Sequence, residues 1–249
     1  MIGAYAGLYC VLLFNLPLIP SIIIAMILCA ALGVLTEKVA YKPLRNAPRI
    51  AVLITAIGVS FLLEYVMVYF FKANSRTYPS DFFSYGSVSL GNITIPLDKM
   101  MVAVITVVLM ILVQIIIKKT KLGKSIRAVS SDQDAAQLMG VSVDRAISFT
   151  FILGSALAGV AGVMYGAMFT INPLMGIQPG IKAFVAAVFG GIGSIPGAIL
   201  GGLLLGVIET LVSAYFSSSI KDAVAFAILI IVLIVRPSGL LGKNIKEKV

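Results

Sequence analysis

Histidine and tryptophan are absent from the 249 residues, cysteine occurs only twice, and charged residues make up just 12%. Without histidine the chain lacks the commonest general base and metal ligand, which removes most hydrolase and metalloenzyme chemistries. Cys10 and Cys29 both lie in apolar runs, where a thiol reads as a small buried hydrophobe rather than half of a disulfide or ligand pair. A soluble domain carries about 25% charged residues. The hydrophobic share of 60% and the mean hydropathy of +1.08 define a polytopic membrane protein instead. No cofactor and no metal are expected.

The net charge of +9 would suit nucleic acid if it formed one basic face. It does not: lysine and arginine cluster in Glu37–Arg49, Lys118–Arg145 and the tail Arg236–Val249, each between or after apolar runs. This is the positive-inside pattern, so these segments read as cytoplasmic, the solvent of the remainder is membrane lipid, and no nucleic acid is a partner. The Lys72–Asp98 segment is charge-balanced and rich in Tyr, Ser, Pro and Phe, as an external loop would be.

A membrane span needs about 20 apolar residues. Leu18–Thr36, Ile50–Phe71, Met100–Ile117, Ala146–Phe169 and Ala223–Val235 are candidates, preceded by the shorter Ile2–Phe14. Ile2–Phe14 has neither a basic leader nor a small-residue cleavage site, so it does not read as a signal peptide. Residues near Asn172 then fall outside and the tail inside, so Ile181–Tyr215 must begin and end outside. As one straight helix it would run ~50 Å at about 1.5 Å per residue, against a hydrocarbon core of about 30 Å. It is therefore expected to break at Gly190-Gly191-Ile192-Gly193-Ser194-Ile195-Pro196-Gly197. Two readings stand side by side: a broken or re-entrant helix lining the translocation path, or a plain helical hairpin turn at the cytoplasmic surface. The expected fold is all-α: one transmembrane permease domain over 1–249, a polytopic bundle of about 7–8 membrane segments with the break near 181–197.

The polar loop 118–145 carries a short helix of its own. Ser131 is placed to cap it, Asp132 and Asp134 favour its positive N-terminal end, and Gly140 fits the position after its C-terminus. Ala135, Ala136, Leu138 and Met139 give it apolar surface for docking a partner. The run Asp134-Ala135-Ala136-Gln137-Leu138-Met139-Gly140 resembles the Glu-Ala-Ala-x-x-x-Gly loop of ABC importer permeases, with Asp134 in place of Glu. The downstream Ile-x-Leu-Pro of that pattern is not matched by Thr150-Phe151-Ile152-Leu153.

Further segments narrow the resemblance. They are Glu37-Lys38-Val39-Ala40-Tyr41-Lys42-Pro43-Leu44-Arg45, Leu53-Ile54-Thr55-Ala56-Ile57-Gly58-Val59-Ser60 and Thr120-Lys121-Leu122-Gly123-Lys124-Ser125-Ile126-Arg127-Ala128. Gly180-Ile181-Lys182-Ala183-Phe184, Gly190-Gly191-Ile192-Gly193-Ser194 and Arg236-Pro237-Ser238-Gly239-Leu240-Leu241-Gly242 complete them. Together they resemble the H-type permease of branched-chain amino-acid ABC importers over nearly the whole chain. The resemblance implies a multi-pass subunit of a prokaryotic cytoplasmic (inner) membrane with a cytoplasmic C-terminus. It would be a transport subunit rather than an enzyme, working with a second homologous permease, two cytoplasmic ATP-binding subunits and an external solute-binding protein. Arg127, Asp132, Asp134, Ala135, Ala136 and Gly140 would then serve ATPase coupling. Family members carry a further N-terminal span and a segment with Asn, Ala, His and Gly before the equivalent of Ile2-Gly3-Ala4-Tyr5, so a span is expected ahead of Met1.

Other features bear on alternatives. Gly123-Lys124-Ser125 lacks the earlier glycine of a phosphate loop, since position 118 is Lys and a membrane helix precedes it. Gly154, Ala158, Gly162 and Gly166, and later Ala198, Gly202 and Gly206, form stripes of small residues suited to close helix packing. Glu64 and Glu209 fall inside spans, where a carboxylate is costly and marks a candidate site. With Gly190, Gly191 and Gly193 they are the candidate translocation path. The alternative for both is a carboxylate turned inward and hydrogen-bonded to Ser, Tyr or backbone, or one close to the outer interface. Asn92-Ile93-Thr94 is a formal glycosylation triplet, relevant only in a eukaryotic secretory pathway. Competing functions are an ion-coupled secondary carrier, with Glu64 or Glu209 taking protons, a same-class permease for urea, short amides or another small solute, and a polytopic membrane enzyme, for which the catalytic side chains are lacking.

Overall fold

The computed structural model describes residues 1–45, 47–79, 82, 86–90, 93–191, 193–236 and 238–242. Its helices are α1 (Ile2–Phe14), α2 (Leu18–Thr36), α3 (Arg49–Phe71), α4 (Leu97–Lys119), α5 (Lys121–Ser131), α6 (Gln133–Leu138), α7 (Val143–Met168), α8 (Ile177–Gly190), α9 (Ile195–Tyr215) and α10 (Lys221–Val235). Beyond Thr36, α2 runs on as a π-helical turn, Glu37–Tyr41, and a 3-10 turn, Lys42–Leu44. Five helical stretches among the described residues are long and apolar enough to cross a membrane: Leu18–Leu44, Ile50–Phe71, Leu97–Lys119, Val143–Met168 and Ile195–Tyr215. Helices α1 and α8 are apolar but shorter. The basic tail residues Lys243, Lys246 and Lys248, with Ile192, Pro237 and Asn92, lie outside the described residues.

Among the described residues a short hairpin interrupts the helices. Strands β1 (Ser87–Leu90) and β2 (Ile93–Pro96) pair antiparallel, Ser87 opposite Pro96 and Leu90 opposite Ile93. The alternation Val88, Leu90 and Ile93, Ile95 around a two-residue connection is a hairpin signal. The absence of charge made this stretch read simply as loop.

The chain forms two compact units, Met1–Met175 and Gly176–Val249. In the first, α1, α2 and α7 pack together around Tyr5, Leu8, Ile22, Ala25, Val160 and Val163. In lipid the apolar environment outside matches the inside, so close backbone approach rather than water exclusion drives such packing. Here it comes from glycine. A Cβ at Gly162 would lie 3.0 Å from the Ala4 backbone nitrogen, and one at Gly159 would lie 2.9 Å from the Ala25 carbonyl oxygen. The expected stripe is therefore only partly used: Gly162 and Gly166 face α1, Gly159 replaces Ala158 as the contact to α2, and Gly154 meets nothing. Helices α3 and α4 carry almost none of the core, their apolar windows being 6% and 0% buried.

Side chains and backbone tie the two ends of this unit. At one end, the backbone of Arg76 exchanges hydrogen bonds with Ile171, at 2.8 and 2.7 Å. The Arg76 guanidinium donates to Tyr9 Oη at 2.7 Å, and the Tyr78 hydroxyl donates to the Ala4 carbonyl at 2.9 Å. Burial pushes the Tyr78 hydroxyl well above the usual phenol range, so it stays a donor. At the other end, Lys42 and Arg45 pair with Asp144 at the start of α7. The segments after α3 and after α7 thus share one end, and those after α2 and before α7 share the other, as alternating spans require.

The second unit is the α8–α9 hairpin with α10 against it, around Val185, Ala186, Leu205 and Ala225. The expected break is present: α8 stops at Gly190 and α9 starts at Ile195, with the Ser194 side chain accepting from the Gly197 N–H at 3.2 Å. Gly191 and Gly193 take φ of +111° and +87°, a region open to glycine. The hairpin closes on Gly190, Gly197 and Gly201, whose missing side chains admit the facing backbone. The packed stripe of α9 is therefore Gly197–Gly201–Leu205, one residue out of step with Ala198, Gly202 and Gly206, of which the two glycines are exposed. The stretch after α10 folds back to cap α8: the N–H groups of Leu240 and Leu241 donate to the Phe189 and Gly190 carbonyls at 3.0 and 2.9 Å.

Candidate functional site

Between α4 and α7 the polar loop is two helices rather than one. Thr120 caps α5, its hydroxyl accepting from the Gly123 N–H at 3.0 Å. Gly123-Lys124-Ser125 lies within the first turns of α5, with Gly123 buried against the carbonyls of Ile116 and Ile117. That is helix packing, not a phosphate cradle. Helix α6 begins one residue later than expected. Ser131 still belongs to α5, and Asp132, extended at φ −158° and ψ 113°, supplies the cap through Oδ1 to the Ala135 N–H at 2.9 Å. Asp134 sits in the first turn. At the far end Gly140, at φ +79°, closes a Schellman motif: its N–H bonds Gln137 O at 3.0 Å, and that of Val141 bonds Ala136 O at 3.0 Å.

Both ends of this six-residue helix are thus held by its own sequence. Its apolar faces divide differently from the expectation. Ala136 is turned inward at 5% exposure, whereas Leu138 and Met139 stand out at 89% and 84%. Ala135 is exposed. Arg127 points elsewhere: Nη1 donates to Ile117 O at 2.5 Å, tying α5 back to α4. Replacing Asp132 by alanine is expected to cost α6 about 1 kcal/mol, seen as faster amide exchange across 133–138 with α5 unchanged.

Beside α6, at the start of α7, lies a cluster that sequence reading missed. Glu37 in the π-helical turn is 1% exposed. Its Oε1 accepts from Arg45 Nη2 at 2.6 Å, and its Oε2 accepts from Ser148 Oγ at 2.9 Å. Arg45 also donates to Asp144, and Lys42 Nζ reaches Asp144 at 2.9 Å. In the sequence these charges told only orientation. The usable signal was an acid at the end of an apolar span with a base two helical turns on.

The candidate path residues divide between the units. In the first, Glu64 is buried at 6% exposure, with Ser60 Oγ donating to Oε1 at 3.3 Å and no partner for Oε2 among the described residues. A cavity of about 300 Å³ lies between α2 and α7, lined by Cys29, Thr36, Tyr41 and Ser155, with Gly3 of α1 and Leu63 of α3, the neighbour of Glu64, also in its wall. In the second, Glu209 has a partner not foreseen: Lys182 of α8 bonds it at 2.9 Å and Asp222 of α10 at 2.8 Å. That triad ties the three helices of the unit. Glu209 also borders an open groove of about 510 Å³ with Gly206, Thr210, Ser213 and Lys221. Gly190 and Gly191 are filled by backbone, and only Gly193 has open space around it.

Apolar helices of spanning length, joined by polar loops of which one carries its own capped helix, define a multi-pass membrane protein. Comparison with known proteins specifies it. Residues 1–233 match the family described as the branched-chain amino acid transport system permease component, and the chain belongs to that family. It is 42% identical over 229 residues to the high-affinity branched-chain amino acid transport system permease protein LivH of Escherichia coli K12. It is 40% identical over the same length to LivH of Salmonella typhimurium; each alignment covers 90% of this chain and 74% of the relative. The permease protein BraD of Pseudomonas aeruginosa is 39% identical over 261 residues, covering 100% of this chain and 85% of the relative. No solved structure matches.

Proposed function

We propose that this chain carries leucine, isoleucine and valine across a prokaryotic inner membrane as a permease subunit of an ABC importer. The observation that carries the reading is the identity of about two residues in five with branched-chain amino acid permeases over nine-tenths of the chain or more. The self-capped helix α6 supports it, since Leu138 and Met139 are apolar side chains held out for a partner. The partners are a second, related permease, ATPases on the cytoplasmic face and an external solute-binding protein. The membrane segments are α1–α4 and α7–α10, with α8 entering and returning through α9. The loops Glu37–Arg49 and Lys118–Arg145 and the C-terminus are cytoplasmic.

In this reading the loaded binding protein docks on the external loops, including Lys72–Asp98. ATP-driven closure of the ATPases displaces α6, the spans rearrange, and outward access is exchanged for inward. Glu64 in the first unit, and Gly193 and Glu209 in the second, are the candidate residues for contact with the solute. Gly190 and Gly191 form the turn that lets α8 and α9 meet. The carboxylates offer a local negative charge to the solute's ammonium group, and the apolar span faces suit its side chain.

The test is a detergent pull-down of the chain from its native membrane, joined to uptake of labelled leucine by vesicles with and without the binding protein. Co-purifying ATPases and a sister permease, with binding-protein-dependent uptake, are expected. A chain recovered alone, or uptake driven by a proton gradient without ATP, would favour the ion-coupled carrier.

A further inference from the structure

We propose that Glu37 and its ion-pair cluster are a relay that transmits displacement of α6 to span α2, with Glu37 as the positioning residue. The inference rests on the docking of an ATPase at α6 proposed above. The geometry supplies each link. Asp144 lies in the first turn of α7, four residues after Gly140. A shift of α6 is therefore passed to Asp144 through a short connection whose first residues are already bonded into the end of α6. Asp144 holds Lys42 and Arg45. One turn further along α7, Ser148 holds Glu37. Helix α7 thus grips the continuation of α2 through two side chains a turn apart, and Arg45 joins Asp144 to Glu37.

The gripped element is one that can rearrange. Glu37–Tyr41 is a π-helical turn interposed between the regular helix ending at Thr36 and the 3-10 turn Lys42–Leu44. Single π turns inside longer helices mark positions where a helix changes its register at functional sites. Glu37 opens that turn, and both of its oxygens are occupied from outside the helix, one by Arg45 and one by α7.

Its burial sets the sign of the effect. At 1% exposure the Glu37 carboxylate has no water to fall back on, so breaking its pair with Arg45 would leave an uncompensated buried charge. The Glu37–Arg45 pair is thus the latch, whereas the Asp144 pairs lie at the surface, with Asp144 57% and Lys42 53% exposed, and guide Arg45 while contributing little individually. The same cluster borders the cavity between α2 and α7 only through its helices: Thr36 and Tyr41, immediately before and at the end of the π turn, line it. A change of register there alters the wall of that cavity.

The experiment uses the assembled complex in proteoliposomes with its binding protein, reading uptake and ATP hydrolysis together, with ATPase recovery in pull-downs read separately. For Glu37→Gln and for Arg45→Gln, ATPase recovery is expected to hold while uptake per ATP falls about 3- to 30-fold. The double variant is expected to be no worse than either single, because the residues act as one unit. Ser148→Ala removes one bond and leaves the ion pair, so a smaller fall, about twofold, is expected; it decides the matter if the other variants fail to insert. Unchanged uptake per ATP, losses that multiply in the double variant, or loss of ATPase recovery in the single variants would overturn the relay. Absence of ATPases from the wild-type pull-down would overturn the docking reading, and the relay with it.

Discussion

Replacing Leu138 and Met139 together by aspartate is expected to strip the ATPase subunits from the solubilised complex while the chain still inserts in the membrane. Both side chains stand almost fully free on α6. Covering each with a partner contributes about 1.5–3 kcal/mol, and an aspartate in the same place adds the cost of taking a charge out of water. The summed loss of at least about 3 kcal/mol lowers affinity by more than about 100-fold. The helix loses only about 0.3–1 kcal/mol for each acid placed at its C-terminal end, because its cap at Asp132 and its closure at Gly140 do not involve these two side chains. Substitution at Ala136 is a poorer probe, since its inward position would damage the packing of α6 as well as any docking. Undiminished recovery of ATPases with the double aspartate variant would count against α6 as the docking element.

Gly201→Val is expected to open the α8–α9 hairpin, whereas Gly202→Val, one residue on, leaves it closed. A Cβ at 201 runs into the Ala186 carbonyl and the backbone of Gly190, neither of which can swing aside. At 202 the nearest atom is the Ala186 Cβ at 4.0 Å, an ordinary contact. Overpacking of this kind costs about 1–3 kcal/mol, which for a chain of this size lowers the melting temperature by about 2–12 °C. Thermal unfolding of the detergent-solubilised chain measures the difference. Equal effects at the two positions would mean that the hairpin does not close on the Gly190–Gly197–Gly201 face.

These two predictions draw on different kinds of legibility. The long spans, the break between Gly190 and Ile195 and the end of α6 at Gly140 could be read directly, because hydropathy, glycine and capping chemistry are local properties. What was not legible depended on which side of a helix faced a neighbour. Ala135 and Ala136 are adjacent in sequence and opposite in exposure. The later glycine stripe was out of step by one residue, since spacing by four fits Gly197–Gly201–Leu205 as well as Ala198–Gly202–Gly206. The partner of Glu209 was hidden for a similar reason: Lys182 lies in another helix, and only the hairpin brings the two together. Glu37 was read as one charge in a basic segment, because nothing local marks a carboxylate as gripped from a helix more than a hundred residues away.

The fold-back cap on α8 has a consequence for the order in which this protein matures. Among the described residues, the carbonyls of Phe189 and Gly190 find their donors in Leu240 and Leu241, roughly fifty residues further along the chain. At about 5–20 residues per second the ribosome needs several seconds to supply them. During that interval the hairpin tip holds two acceptors without their final partners, and buried backbone does not tolerate this for long. The tip must therefore wait in contact with water, headgroups or the insertion machinery, until the stretch after α10 arrives to lock the earlier pair.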